Sequence, residues 1–341
     1  MNKIEQIILV TGGAGYVGST FIRDALSLGY KVRCLDLLIY GGKSLIGFMN
    51  HPNFDFINGD IRNRKVIKDS LNNVTTIVHL AAIVGDLPCK VAPSSAYQIN
   101  FEGTKLIADI AKEKGVKKFI FASTCSNYGV SDSSQYATET SVLNPVSLYA
   151  ETKIDCERYL SSVSDDKFST TCLRFATAFG TSFRTRFDLL VNSFAYEAWT
   201  TQNIVAFAAD TWRPYIHVAD MSRILLMIIK APLSKIRGKI FNAGSTHQNY
   251  LKKDLVEILK AVMPELKTKY IDSIDDRRNY KVSFDKLENT FNFKPTISVH
   301  DGFQELLTSF KSGILSKYDY EANKLETLEI FFGEKEKILK R

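Results

Sequence analysis

No apolar run in this 341-residue chain reaches the roughly 18 residues needed to cross a bilayer. The first residues, Met1 to Gln6, also lack the apolar stretch and small-residue cleavage site of a signal peptide; they carry Glu5 and lead straight into a β-rich run. A cytoplasmic protein with no membrane partner is expected. Cysteine is sparse and odd in number: five residues (Cys34, Cys89, Cys125, Cys156, Cys172), with no C-x-x-C pair. A disulfide framework and a structural metal site are therefore not expected. The net charge of +7 is spread along the chain rather than gathered in one basic tract. That spread could favour an anionic ligand but does not indicate a nucleic-acid partner. Internal repeats and low-complexity linkers are absent. With 45% hydrophobic and 24% charged residues, the composition also excludes disordered and fibrous classes.

What is present in the first half is an alternation of short β-rich runs and helical stretches, the pattern of a parallel sheet covered on both faces. Strands are expected at Ile7–Val10, Lys31–Asp36, Phe54–Ile57, Thr76–Leu80, Lys118–Ala122 and Thr170–Phe175. Helices are expected at Phe21–Leu28, closed by Gly29, at about Ser94–Lys114, and at about Ser147–Leu160, capped by Ser147. After Gly180 the alternation loosens, with Lys239–Asn242 as a strand returning to the main sheet. The expected fold is α/β, a Rossmann-type doubly wound parallel sheet with a smaller, irregular substrate lobe. Residues 1–180 with about 215–244 form the first domain, 181–214 with 245–315 the second, and 316–341 a charged extension.

Thr11-Gly12-Gly13-Ala14-Gly15-Tyr16-Val17-Gly18 follows the first strand and opens the first helix. From Gly13 it reads G-x-G-x-x-G: glycines for a tight turn, for backbone approach to a pyrophosphate, and for close helix–strand packing. The helix N-terminus offers unpaired N–H groups and a positive partial charge to phosphate. Asp36 ends the second strand, 18 residues after Gly18. A carboxylate there accepts hydrogen bonds from ribose hydroxyls and repels a 2′-phosphate, so NAD is favoured over NADP. Arg33 lies within the strand and is the poorer candidate for binding such a phosphate.

Tyr149-Ala150-Glu151-Thr152-Lys153 places a tyrosine and a lysine four residues apart on one helical face. A free phenol, with pKa about 10, is a poor base at neutral pH. A nearby lysine and a positive nicotinamide would favour phenolate. Ser123 and Thr124, at the end of the fifth strand, are both placed to hydrogen-bond the same substrate oxygen.

The ordered set TGGAGYVGS, Asp36, Gly59-Asp60-Ile61, His79-Leu80-Ala81-Ala82, Asn100, Ser123-Thr124 with Tyr128-Gly129, Tyr149 with Lys153, and Arg213-Pro214-Tyr215-Ile216-His217-Val218 resembles the extended short-chain dehydrogenase/reductases. The resemblance covers about residues 5–310 and is to the NAD-dependent epimerase/dehydratase branch acting on nucleotide sugars. It implies Thr124 as the hydroxyl partner, Tyr149 as acid/base, and Lys153 as electrostatic helper and ribose ligand. On the cofactor side it implies Asp60 and Ile61 near the adenine, Leu80, Ala81 and Ala82 where backbone meets the cofactor, and Asn100 supporting the site. Arg213 and Arg278 would bind the substrate diphosphate, for which planar guanidinium forks are suited. The two long helices pair across a twofold interface in the resembling enzymes, so a homodimer is expected.

Three departures shape the functional expectation. Cys125-Ser126 stands where 4,6-dehydratases of the family carry Asp-Glu, which argues against dehydration. Cys125 is then a candidate acid/base toward a ring carbon, or a residue packed behind the strand. Thr177 replaces the usual Asn of its stretch and leaves one substrate contact open. Arg184 to Asn192 resembles a subgroup acting on surface-polysaccharide sugars, some of which only oxidise C4, and makes Asn192 a substrate-site candidate. The expected protein is thus an NAD-dependent nucleotide-sugar epimerase or oxidoreductase working through a 4-keto sugar. The competitors are a 4-oxidase and, more remotely, a dehydratase or a non-catalytic NAD-binding regulator.

Overall fold

The computed structural model describes residues 7–132, 134–272 and 278–321. Seven strands build the central sheet: β1 (Ile7–Thr11), β2 (Lys31–Asp36), β3 (Phe54–Asn58), β4 (Val74–His79), β5 (Lys118–Thr124), β6 (Ser169–Phe175) and β7 (Lys239–Ala243). All neighbours pair in parallel. Their spatial order is β3-β2-β1-β4-β5-β6-β7, so the winding reverses between β1 and β4. At such a switch point the loops diverge and leave a crevice beyond the carboxyl ends of the strands. Ile8, Leu9 and Val10 of β1 are fully buried, and every residue of β6 is buried. That is the near-continuous burial of strands covered on both faces, apolar along β1 and partly polar along β6.

Three helices carry the site: α1 (Tyr16–Ser27), α2 (Thr104–Glu113) and α3 (Leu148–Val163). α1 begins five residues before the expected start at Phe21. Gly18 and the β-branched Val17 and Thr20 are weak helix formers, so local propensity hides this turn, which the glycine turn before it sets in place. The single helix expected over Ser94–Lys114 is instead Pro93–Tyr97, a π-helical turn at Gln98–Gly103, and α2. A π turn inserts a residue without breaking the apolar pattern, and such turns cluster at functional sites. α3 starts where expected: the Ser147 side chain accepts from the Ala150 N–H at 3.4 Å.

The chain beyond Gly180 is more regular than expected. Thr177–Phe179 runs parallel to Trp212–His217, which pairs antiparallel with Asn249–Leu251; Asn203–Phe207 pairs in parallel with Lys267–Ile271. Helices α4 (Leu190–Thr201), α6 (Lys252–Val262) and α7 (Val299–Lys311) enclose a second core of Phe179, Phe187, Val191, Phe194, Leu255 and Phe303. Between α4 and α6, α5 (Val218–Lys230) returns to pack on α1. Of the expected C-terminal extension, Lys317–Glu321 forms a short helix and residues 322–341 lie outside the described residues. Among the described residues no helix is long and apolar enough to cross a membrane.

Candidate active site

The glycine turn is built on backbone contact. Gly12 has φ +73°, and a Cβ there would lie 2.6 Å from the Ala81 nitrogen. A Cβ on Gly18 would lie 2.4 Å from the Gly12 carbonyl oxygen. Main chain cannot yield at those distances, so β1, α1 and the loop after β4 meet only because both positions lack side chains. Gly15, the residue preceding α1, makes no side-chain cap, so no side chain accepts from the first amides of the helix. A side-chain-free turn ahead of uncapped amides fits a dinucleotide pyrophosphate. Val17 is half-buried on this first turn. The Tyr16 phenol does not face the crevice: it is buried and donates to the Gly180 carbonyl at 2.7 Å. Its backbone, on the first turn of α1, is the part of Tyr16 left beside the glycine turn.

Asp36 closes the next corner. Its two carboxylate oxygens accept from Ala14 N–H at 2.9 Å and Leu38 N–H at 2.8 Å, tying the loop after β2 to the glycine turn. Burial raises its pKa above the ordinary carboxylate value, partly offset by those two amides. A carboxylate has about four acceptor positions, so capacity remains for ribose hydroxyls. Asp60 is held by the Arg62 guanidinium at 2.6 Å, and Ile61 is buried against Gly103. Leu80 N–H donates to the Thr11 carbonyl at 3.0 Å; Ala81 and Ala82 follow, half-buried. Asn100 lies within the π turn, 1% exposed, accepting from Ile83 N–H at 2.8 Å and donating to its carbonyl at 3.0 Å. It holds the loop after β4 as a strand partner would.

Thr124 ends β5; its hydroxyl accepts from Ser126 N–H at 3.1 Å and stands as a hydrogen-bonding neighbour that pulls the pKa of the Tyr149 phenol down. Lys153, one turn further along α3, is buried and donates to the Ala122 carbonyl at 2.9 Å, with its ammonium 5.8 Å from the Tyr149 ring centroid. Burial lowers the pKa of Lys153. Burial also raises that of Tyr149, against the pull of Arg186 and the Thr124 hydrogen bond. In the protein alone desolvation outweighs the nearby lowering influences; the phenolate expected from the sequence counted on the positive nicotinamide as well as on Lys153.

Successive strand side chains point to opposite faces, and this separates the two candidate hydroxyls. Ser123 turns away from Tyr149 and donates to Glu157 at 2.5 Å. Glu157 and Arg174, each 3% exposed, pair at 2.7 Å. Arg174 continues to the Tyr128 hydroxyl at 3.0 Å, which itself donates to Asn242 at 2.6 Å. This network fastens α3 to β6 and β7. Its signal was in the sequence: Glu157 follows Tyr149 and Lys153 at the same four-residue interval. Cys125 belongs to the same layer. It is 1% exposed, donates to the Arg174 carbonyl at 3.1 Å, and burial pushes its thiol well above the ordinary value. Of the two readings the sequence leaves open for Cys125, this geometry favours the residue packed behind the strand.

Across the crevice, Arg213 lies with its guanidinium 5.1 Å from the Tyr280 ring centroid, and the Tyr280 hydroxyl is 3.5 Å from Ser126 Oγ. Arg278 pairs at 3.1 Å with Asp86, which also accepts from Ser147 at 2.6 Å. The sequence alone passed over Ser126, Tyr280 and Asp86. Thr177 is half-buried, paired in register with Tyr215. Asn192 is fully buried: it accepts from Gly180 N–H at 2.9 Å and donates to the Arg186 carbonyl at 2.7 Å. Its amide, expected as a substrate-site candidate, is occupied within the chain and holds the 180–186 segment. Arg186 itself forms a forked pair with Asp188, with distances of 3.0 and 2.5 Å. Burial disfavours its charge, yet the Asp188 carboxylate leaves its pKa raised.

A family model described as NAD dependent epimerase/dehydratase family matches residues 8–244. The chain is 27% identical over 307 residues to the low-salt glycan biosynthesis protein Agl12 of Haloferax volcanii, covering 87% of this chain and 96% of that one. It is 26% identical over 262 residues to a UDP-glucose 4-epimerase of Bacillus subtilis, covering 70% and 77%. Among solved structures, UDP-glucuronic acid 4-epimerase from Bacillus cereus in complex with UDP-glucuronic acid and NAD superposes with a TM-score of 0.80. The identity is 22%, over 90% of this chain and 99% of that one, a likeness of fold.

Proposed function

Because the chain belongs to the NAD dependent epimerase/dehydratase family, we propose that it is a nucleotide-sugar epimerase acting by hydride transfer at C4, in the synthesis of surface polysaccharide. The observation that carries this reading is the set Thr124, Tyr149 and Lys153 beside the glycine turn, with Arg213 and Arg278 across the same crevice. NAD, when bound, supplies the hydride acceptor and a positive charge beside Tyr149. Tyr149 takes the proton of the C4 hydroxyl while Thr124 holds the same oxygen. Lys153 stabilises the negative charge on the phenol oxygen. Arg213 and Arg278 neutralise the diphosphate, Arg278 exchanging Asp86 for phosphate oxygens. Re-reduction of the 4-keto sugar from its other face returns the hydride and inverts the carbon.

Cys125-Ser126, in place of an acid and a base, argues against dehydration, and the buried Cys125 thiol argues against proton removal elsewhere in the ring. The division into a NAD-binding unit over residues 1–180 with 215–244 and a sugar-binding lobe over 181–214 with 245–315 belongs to the same reading. So do a cytoplasmic setting and a homodimer. A panel of GDP-, UDP-, dTDP- and CDP-sugars, followed by mass, NMR and reduced-nicotinamide absorbance, tests it. One sugar should convert to its C4 epimer at constant mass with NAD recycled. Stoichiometric NADH with a product two mass units lighter would replace the epimerase with a 4-oxidase, and loss of water would restore the dehydratase.

A further inference from the structure

The segment Gly180–Arg184 does not stay with the second core from which it departs. Gly180 receives the Tyr16 phenol at 2.7 Å, and Ser182 donates to the Tyr16 carbonyl at 2.6 Å while lying 3.2 Å from both the Ser19 and Thr20 hydroxyls. Phe183 then meets Phe48 edge-on, with centroids 5.3 Å apart. Finally the Arg184 guanidinium lies 3.8 Å over the Tyr40 ring. In five residues the segment thus runs along the first turns of α1 and ends on the loop after β2. That loop is joined to the cofactor turn twice more: Asp36 accepts from Ala14 N–H, and Ser44 donates to the Ala14 carbonyl at 2.8 Å. Tyr40 lies four residues after Asp36, so Arg184 reaches the adenosine-ribose side from the opposite core. Asn192 holds the other end of the segment through Gly180 and Arg186.

We propose that Gly180–Arg184 is a strap over the adenosine half of NAD, and that the Arg184–Tyr40 stack is the clasp that slows cofactor release. The idea rests on NAD occupying the glycine turn, and it deepens the epimerase reading, since an enzyme that recycles its cofactor gains from holding it between turnovers. Arg184 is a positioning residue in this account. Its planar guanidinium suits stacking, and in this half-buried place burial lowers its pKa against the pull of Tyr40, Asp188 and Asp36.

The test is displacement of NADH from the purified enzyme, followed by stopped-flow fluorescence. Arg184→Ala should raise the dissociation rate about three- to tenfold, the scale of one desolvated cation–π contact. Tyr40→Ala should do the same, and the double variant should add little, because each removes one partner of a single clasp. Tyr40→Phe, which keeps the ring, should dissociate like wild type. Affinity for ADP-ribose should weaken in Arg184→Ala while affinity for nicotinamide mononucleotide is retained. An unchanged dissociation rate in Arg184→Ala, a Tyr40→Phe as fast as Tyr40→Ala, or weakening confined to nicotinamide mononucleotide would overturn the clasp while leaving the cofactor assignment intact. Wild-type enzyme that binds no NADH would overturn both.

Discussion

Tyr149→Phe removes one oxygen from a side chain that is 9% exposed and whose phenol is partnered by Thr124. The structural loss is one hydrogen bond, about 1 kcal/mol, worth no more than roughly 2–4 °C of melting temperature. The catalytic loss is of another order. General acid–base transfer contributes about 10²–10⁴-fold, roughly 3–5 kcal/mol of barrier. The pH dependence sharpens the test. Burial holds the phenol up while Lys153 and the positive charge of bound NAD pull it down, and in either case raising pH increases the base form. Wild-type hydride transfer should therefore rise with pH until the phenol of the NAD-bound enzyme is fully ionised, and the phenylalanine variant should lose both the rate and the slope. The assay is single-turnover formation of reduced nicotinamide with the sugar that the panel identifies, alongside NADH titration to show the pocket intact. Thr124→Val should cost less, since Tyr149 still reaches the oxygen but holds it less firmly. A Tyr149→Phe enzyme within tenfold of wild type, or one that keeps the pH slope, would refute the assignment of the base.

Wild-type enzyme should bind NADH more tightly than NADPH, and Asp36→Asn should narrow that preference; tighter NADPH binding by wild type in titration would contradict the ribose role of Asp36. Because burial raises the Asp36 pKa, NADH affinity should begin to fall, as acid is added, at a higher pH than an ordinary carboxylate would give. Glu157→Leu leaves Arg174 charged and unpaired at 3% exposure. Urea denaturation should show a loss of about 3–5 kcal/mol, and a loss below about 1 would mean the pair is replaceable. Tyr97, on the first of the two helices expected to pair, is 42% exposed. Light scattering at micromolar concentration should give twice the chain mass, and a monomer would remove that interface.

Features governed by local periodicity or by a turn with one solution were legible in the sequence. The apolar run before Gly12 could only be a buried strand, and the glycines after it could only be a turn with backbone contact on both sides. Ser147 could be read as a cap because its hydroxyl satisfies an amide three residues on. The π turn at Asn100 was hidden, since an extra residue leaves the apolar face continuous and what fixes it is a side chain bonded to Ile83 in another loop. The setting of the Tyr149 phenol was legible only in part for a related reason: spacing gives the lysine, but it does not give the depth of burial, which raises the pKa in the protein alone. Position alone left Ser123 and Thr124 level and only the family resemblance favoured Thr124, until the register of β5 faced Ser123 toward Glu157. The contacts of Gly180–Arg184 with α1 and Tyr40 join residues more than 140 positions apart, and no local pattern announces them.

The second core is assembled from two stretches of chain that flank β7. Phe179, Phe187 and Val191 precede that strand, while Leu255, Val299 and Phe303 follow it. During synthesis the first stretch therefore emerges without its partners, and α4 waits for α7 while the sheet beside it is completed. The strap that starts from this core can meet α1 and Tyr40 early, but the core at its other end is completed only when residues near 303 have cleared the ribosome. A nascent chain released at residue 244 would hold every glycine and carboxylate of the dinucleotide turn and still lack the support that keeps Asn192 against Gly180. Ribosome-bound intermediates should accordingly gain protease resistance in two steps, the sheet first, with nucleotide retention arriving only at the second.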